Sequence, residues 1–405
     1  MDLRYIKILR LALRTIASWP GQELGEHVRM ISNYYIYYLL LSLLIALIPV
    51  IRYVIQNAKT MHITVLGHIC ISVLLTFTST AKIPLLCLRK EYRKFGKMFF
   101  TEIHLVYTKN KSEYAMKTHL RVHKLSEYCS IYLISMLSAT IIFFNLGPMY
   151  VNYSTGLYRD GIPENSTNVY AHAAYYAGFP FQCDYLRDFD CYIVVSLFTW
   201  YISYFVGTFL SILDLYIYIT VFHIWGHYKI LINDLETIAE PNSNGKYSAE
   251  ESHNITERLK NCIKYHHIIS EYTKKMSDLF GATLFANICF MQLVSCLLLL
   301  ECSYMTAETT MRYGPLTVMV FQELIQFGLV FELTGTAGDD LRKQVYNIPW
   351  EYMDTKNRAM VLFFLMNVQK PVRVKALGLT EMGLATVASV IKTSFSYFAF
   401  LRTID

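Results

Sequence analysis

The sequence predicts an all-α membrane protein. It is read as seven transmembrane helices, N-terminus cytoplasmic and C-terminus extracellular, in a single domain over residues 1–405. Three observations lead there. Charged residues are only 17 % of the chain and hydrophobic ones 54 %, with a mean hydropathy of +0.30, where an ordinary soluble domain carries roughly 25 % charge. The apolar residues gather into seven runs long enough to cross a bilayer as helices. Lysine and arginine concentrate between alternate runs, the asymmetry that orients a membrane protein. The same composition excludes other classes. Disorder needs low hydrophobicity and high charge. Nine cysteines in 405 residues are too sparse for a disulfide scaffold. A net charge of +6, split among separated blocks, offers no continuous basic surface to nucleic acid.

The runs cover residues 30–51, 61–81, 128–151, 192–222, 279–300, 315–331 and 384–401. The fourth is longer than a bilayer requires; the sixth and seventh are the shortest. Five Lys and Arg precede the first run, eleven lie between the second and third, and seven follow each of the fourth and sixth, against six on the opposite side. Residues 3–21 set Arg and Lys at three- and four-residue spacing between Leu and Ile. That is an amphipathic helix rather than a cleavable signal, suited to the inner leaflet or to the protein's own surface. Residues 98–128 and 250–278 read as helices prolonging the spans beyond the membrane, and 239–246 (AEPNSNGK) as a linker. The loop 151–191 falls on the extracellular side. It holds the sequons at Asn152 and Asn165, expected to be glycosylated, and Cys183 and Cys191, which can pair there. The sequons at Asn110 and Asn254 are expected to be cytoplasmic and silent.

No chemistry of catalysis stands out. There is no phosphate-binding GxxxxGK[ST], no GxGxxG and no HExxH. His119 and His123, and His223 and His227, each share a helix face without a carboxylate or third ligand at metal spacing. His266 has Glu271 close by for a surface pairing. An enzyme, a cofactor or a metal therefore has no support. Within the spans, polar residues recur at three- and four-residue steps, and such side chains turn toward neighbouring helices or a cavity. The stripes are His68, Ser72, Thr76 and Ser79; Ser135, Ser138, Ile142 and Asn145; Ser196, Thr199 and Ser203; Asn287 and Met291; and Met319, Gln322 and Gln326. Phe143, Phe198 and Phe290 adjoin them. Together these residues outline an outward-facing, mostly apolar pocket for a small lipophilic ligand, although helix packing accounts for any one of them equally well. Asp214, Glu323 and Lys392 are charges inside spans, expected to face inward, to snorkel or to line an aqueous path. Ser389, Thr393, Ser396, Tyr397 and Phe400 form a helical face suited to a pore with a hydrophobic constriction.

The C-terminal portion adds Tyr346-Asn-Ile-Pro-Trp350, FFLMNVQKP from Phe363, VKALGL from Val374 and KTSFSYFAFLR from Lys392. These segments resemble the C-terminal signature of insect odorant receptors, in wording closest to the moth sex-pheromone group. The resemblance implies a subunit of a ligand-gated, non-selective cation channel, assembled as a heterotetramer with a shared co-receptor in the plasma membrane of olfactory neurons. It implies a ligand pocket in the outer half of spans two to six and a pore lined by span seven, with the gate at Phe400 and Tyr397 one turn inward. It further implies an intracellular helical anchor region between subunits, carrying Trp350, Phe363 and Phe364. The co-receptor usually has a smaller aliphatic residue at the gate, so Phe400 argues against a conducting homomer. Two rivals differ in class. A G-protein-coupled receptor needs the opposite orientation, and neither Asp-Arg-Tyr after span three nor NPxxY in span seven is present. A transporter would show duplicated halves, and none are visible.

Overall fold

The computed structural model describes residues 3–27, 30–57, 59, 63–162, 169–179, 181, 183–241, 245–303, 307–369 and 373–402. Its frame is helical because a backbone in hydrocarbon must satisfy its own polar groups. The elements are α1 (Arg4–Thr15), α2 (Met30–Asn57), α3 (Ile63–Lys82), α4 (Lys90–Met98), α5 (Glu113–Ser154), α6 (Leu157–Asp160), α7 (Phe189–Glu236), α8 (Ala249–Ser303), α9 (Ala307–Tyr346), α10 (Thr355–Val368) and α11 (Leu384–Arg402). Among the described residues six helices are long and apolar enough to cross a membrane, and a seventh apolar stretch, Leu384–Phe400, is shorter.

Several helices outrun the bilayer. At 1.5 Å per residue a span needs about 20 residues, whereas α5 has 42, α7 has 48, α8 has 55 and α9 has 40. The expected prolongation over 250–278 is continuous with α8. That over 98–128 is not one helix: it breaks into short turns at Phe99–Ile103 and Leu105–Tyr107 before α5 begins, capped by the Ser112 side chain on the Ala115 amide. The second apolar helix continues past the expected boundary to Cys87.

Helix α7 is the central post. Of its apolar window 94 % is buried, against 28 % for α2 and 33 % for α5. One end of the bundle carries the loop between α5 and α7, with Cys183 and Cys191 joined as a disulfide. The opposite, basic end carries α1, α4, α10 and a two-stranded antiparallel hairpin, β1 (Lys375–Ala376) and β2 (Thr380–Glu381). The VKALGL segment is this hairpin. Its turn uses positive φ at Leu377 and Gly378, and the Leu377 amide donates to the Gly281 carbonyl of α8 at 3.2 Å. A Cβ at Gly281 would come within 3.1 Å of that same amide, so the close approach needs glycine. Helix α10 is capped by Asp354 on the Asn357 amide, and Asn357 is bonded in turn by the Thr256 hydroxyl of α8 at 2.8 Å. Of the two settings open to α1, the structure takes the protein's own surface: Tyr5, Leu9 and Leu13 are wholly buried in the main core.

Tyr5 brings together the histidines that spacing had shown only as pairs. Its hydroxyl lies 2.5 Å from His104 Nε2 and 3.1 Å from His223 Nε2, and the two imidazoles are 4.3 Å apart. Each ring accepts a backbone N–H at Nδ1, from Val106 and Leu105 respectively, so each neutral ring carries its proton on Nε2 and donates it to Tyr5. Burial, reinforced by His119, pushes the His104 pKa down to about 3, and protonation would aim a second N–H at the Val106 amide. His119 is buried beside them, while His227 bonds the Ile103 carbonyl. Among the described residues no group of His, Cys, Asp or Glu can hold a metal ion. His266 departs from its expected partner. It packs on Phe364 and contacts the Ser270 hydroxyl, and Glu271 pairs with Lys275.

Two outcomes follow. Tyr5→Phe removes the shared acceptor and should lower stability in detergent by about 1–3 kcal/mol; an unchanged melting temperature would show that the cluster does not hold α1. Above pH 6.5 both folded and unfolded His104 are neutral. As pH falls toward 3 only the unfolded chain takes the proton, so stability falls through that window. A His104→Gln variant should show a flatter acid limb in pH-dependent thermal melts.

Candidate ligand cavity

Helices α3, α5, α7, α8 and α9 enclose an apolar cavity whose walls include Leu75, Leu137, Phe144, Val206, Leu210, Phe290, Leu316 and Met319. Its polar groups are few: Thr140, Tyr175, Ser203, Ser211 and Glu323. Tyr175 comes from the disulfide loop and is fully buried beside the Thr76 hydroxyl; burial raises its pKa to about 12, so it is a neutral phenol. Gly207 lets α7 and α5 close together, since a Cβ there would sit 2.9 Å from Leu137 Cδ1. The cavity measures about 60 Å³, far below the roughly 300–1,000 Å³ of ordinary small-molecule sites. A drug-sized ligand would have to part the helices.

The structure divides the residues expected to bind ligand. Phe290 and Met319 line the cavity. His68, Ser72, Thr76, Asn145, Ser196, Thr199 and Met291 are buried in the surrounding packing. His68 bonds Tyr313, Ser72 donates to the Ala174 carbonyl at 2.9 Å, Ser203 donates to Asn145 at 3.3 Å, and Thr199 donates to Val195 one turn back. Phe198 packs on Phe179 of the loop, with ring centroids 5.6 Å apart. Three residues are corrected outright: Ser138, Ile142 and Phe143 are exposed on the outer face of α5. The true inner stripe is Leu137, Thr140, Ile141 and Phe144. An apolar side chain facing lipid costs nothing, so apolarity did not fix the helix phase. Gln322 is half-buried and off the cavity, and its amide atoms have no hydrogen-bond partner among the described residues. The cavity residues Tyr175, Ser211 and Glu323 were not in the expected set. Continuing the α7 stripe two turns beyond Ser203 would have found Ser211.

Other placements differ too. Asn152 is 1 % exposed and accepts the Ala171 amide, so the folded chain has no room for a glycan on it; Asn165 lies outside the described residues. Phe364 is wholly buried against the subunit's own helices, whereas Phe363 is 58 % and Trp350 40 % exposed. On α11, Val387, Val390 and Ser394 are buried, Ser389, Lys392 and Ser396 are exposed, and Thr393 is half-buried. Tyr397 and Phe400 flank a cleft against α2, α3 and α8, with Val54, Cys70, Cys289 and Cys296 opposite.

A family model described as 7tm odorant receptor matches residues 62–395. The chain belongs to the 7tm odorant receptor family. Odorant receptor 85a of Drosophila melanogaster is 26 % identical over 48 % of this chain and 48 % of its own length. Odorant receptor 43b of the same fly is 24 % identical over 64 % of this chain and 62 % of its own. The chain thus spans about half the length of these curated relatives. The solved olfactory receptor OR5 from Machilis hrabei superposes with a TM-score of 0.79, covering 99 % of this chain and 98 % of that one at 14 % identity. Its complex with eugenol gives 0.77. At that identity the likeness speaks for the fold.

Beneath the odorant receptor's cavity lies a buried charge network. Lys82, at the end of α3, pairs with Asp214 of α7 at 3.2 Å, and both side chains are 4 % exposed. Lys82 also donates to the Leu210 carbonyl at 3.1 Å, and Asn287 of α8 donates to Asp214 at 3.2 Å. Glu323 of α9 lies close to Asp214 and borders the cavity. Asp214, one of the span charges, faces inward and is neutralised inside the bundle, and Lys82 is part of this network rather than of the basic loop. Lys82→Met strands the carboxyl groups and should destabilise the receptor by about 3–5 kcal/mol. A wild-type melting profile for that variant in detergent would refute the network. In the cavity, Gly207→Val fills space at the α5–α7 contact and should weaken ligand potency while surface expression is kept; unchanged potency would place the ligand elsewhere.

Proposed function

We propose that this chain is the odorant-binding subunit of a ligand-gated, non-selective cation channel, tuned to a long-chain volatile alcohol, aldehyde or acetate of the kind moths use as sex pheromones. The observation that carries this reading is the apolar cavity with few polar groups, set between the helices of an odorant receptor. Seven helices cross the membrane, α11 being the seventh. The basic end faces the cytoplasm, and the disulfide loop faces the oxidising exterior. Because the cavity is small, the ligand favours an expanded arrangement and shifts the gate by its differential affinity for that state.

Helix α11 lines the pore with Thr393, Tyr397 and Phe400, and the pore forms only when subunits assemble. The second feature in favour of assembly is α10, where Leu362, Phe363 and Met366 are 60, 58 and 63 % exposed at the basic end, outside the membrane. An apolar face of that kind calls for a protein partner. The partner is the shared co-receptor, in a heterotetramer in the plasma membrane of olfactory neurons. Phe364, buried in its own subunit, supports the anchor from within rather than touching the partner.

The test is electrical. Expressed with a co-receptor in oocytes, the chain should pass inward cation currents on exposure to pheromone-like volatiles, and these should survive internal GDP-β-S. Currents that vanish with the G-protein blocker, or that need no co-receptor, would overturn the reading. Phe363→Asp should lower co-purification with the co-receptor at least several-fold, and Phe400→Ala should alter closed-state leak in the assembled channel.

A further inference from the structure

We propose that the floor of the cavity is a hydroxyl-recognition subsite, where Ser211 and Glu323 take the head of a lipophilic alcohol whose chain lies along Leu137, Phe144 and Leu316. This deepens the reading above and rests on it, since it names which of the three head groups the cavity is built for.

Ser211 is the first observation. It is 1 % exposed, lines the cavity, and its hydroxyl has no hydrogen-bond partner among the described residues. Ser295 of α8 shares this lack of a partner but lies away from the cavity, and many buried threonines in the spans behave otherwise. Thr76, Thr80, Thr199 and Thr208 each donate to the carbonyl one turn back. A buried hydroxyl without that bond, facing a cavity, is an unfilled half of a polar contact.

Glu323 supplies the other half. Asp214 is fully engaged, with Lys82 donating to both of its oxygens and Asn287 donating to one. Glu323 stands beside Asp214 and borders the cavity. Along α7, Ser211 precedes Asp214 by less than one turn, so the two polar groups stand at the same end of the cavity. The opposite end is closed by Phe144 and Tyr175. The other polar groups are Thr140, Tyr175 and Ser203, of which Ser203 already donates to Asn145, and the remaining walls are apolar, so a mostly apolar ligand can place its head at the Ser211 end.

Head-group chemistry then selects. A hydroxyl both donates and accepts, so it can accept from Ser211 and donate to Glu323 at once. Aldehydes and acetates only accept, and satisfy one partner. A fatty acid would add a third acidic group where one ammonium already faces two carboxyl groups. An alkane answers neither partner. A site built to bond a hydroxyl discriminates strongly against the analogue lacking it, because its own buried groups are then left unpaired.

The experiment measures binding rather than current, on the purified full chain in detergent, by ligand-induced thermal shift. The probes are primary alcohols from octanol to hexadecanol with the matched aldehydes, acetates and alkanes. Wild type should bind its best alcohol about tenfold tighter than the matched acetate, the size of one hydrogen bond. Ser211→Ala should erase that preference and leave the alkane unchanged, and Glu323→Gln should weaken the alcohol alone. Ser211→Ala changes little volume, so it keeps the test decisive even if Glu323→Gln fails to fold. Equal binding of all head groups, insensitive to Ser211→Ala yet abolished by the cavity-filling Leu137→Trp, would overturn the subsite and leave the receptor reading intact. Binding of none of the probes, or binding indifferent to Leu137→Trp, would overturn both.

Discussion

Burial of the central stretch of α7 is the constraint from which the rest of the architecture follows. A span that touches lipid can keep its polar residues only on its inner face. With 94 % of its window enclosed by the other helices, α7 tolerates them all round. Down its length it carries Cys191 of the disulfide, Ser203 and Ser211 of the cavity, Asp214 of the charge network and His223 of the Tyr5 cluster. The cavity, the charge network and the attachment of the N-terminal helix are thus strung on one continuous helix, with no loop between the cavity and the basic end.

The charge network decides how the helices can move. Lys82, Asp214, Asn287 and Glu323 come from α3, α7, α8 and α9, the same helices that wall the cavity with α5. Parting α3 from α7 at that level leaves buried charges unpaired, a loss of several kcal/mol, and parting α8 takes a buried hydrogen bond from Asp214. Expansion around a ligand therefore takes place above the network, or carries its four members together. Either way the network makes the cavity floor a stiff end, which suits it to specificity.

The spans were legible in the sequence because length and apolarity within one helix are sufficient to define them. The overlong fourth run is the post itself. Facing was not legible to the same degree. In water an apolar residue marks the buried face, but in lipid Phe143 outside and Phe144 inside are equally comfortable, and a stripe begun at Ser135 ran one residue out of phase. Lys82 read as a loop cation because its partner Asp214 is distant in sequence. The histidines showed as i,i+4 pairs, but the group that joins them, Tyr5 with His104, lies on two other elements. Phe363 and Phe364 are adjacent and chemically identical; only the packing of α10 on α8 exposes one and buries the other.

The loop that carries Tyr175 shapes how a ligand reaches the cavity. It is knitted into the bundle rather than laid over it. Ala171 donates to Asn152, Ser72 donates to the Ala174 carbonyl, and His172 contacts the Tyr185 hydroxyl at 2.9 Å. Ala173, Ala174 and Tyr175 are each no more than 3 % exposed, and the disulfide fixes the distal end of the loop to the start of α7. A segment so bonded does not swing as a flap; releasing it breaks several buried hydrogen bonds at once, each worth about 1 kcal/mol net. Lateral separation of α5 from α7 at Gly207 breaks none of these bonds. At Gly207 the seam is held by dispersion contacts with Leu137 and Ile141, which lipid tails can replace at little loss, and one turn away by the Ser203–Asn145 hydrogen bond. Parting α5 from α7 would thus break one buried hydrogen bond where releasing the loop breaks several, and the seam borders the cavity at Gly207, Leu137 and Ile141.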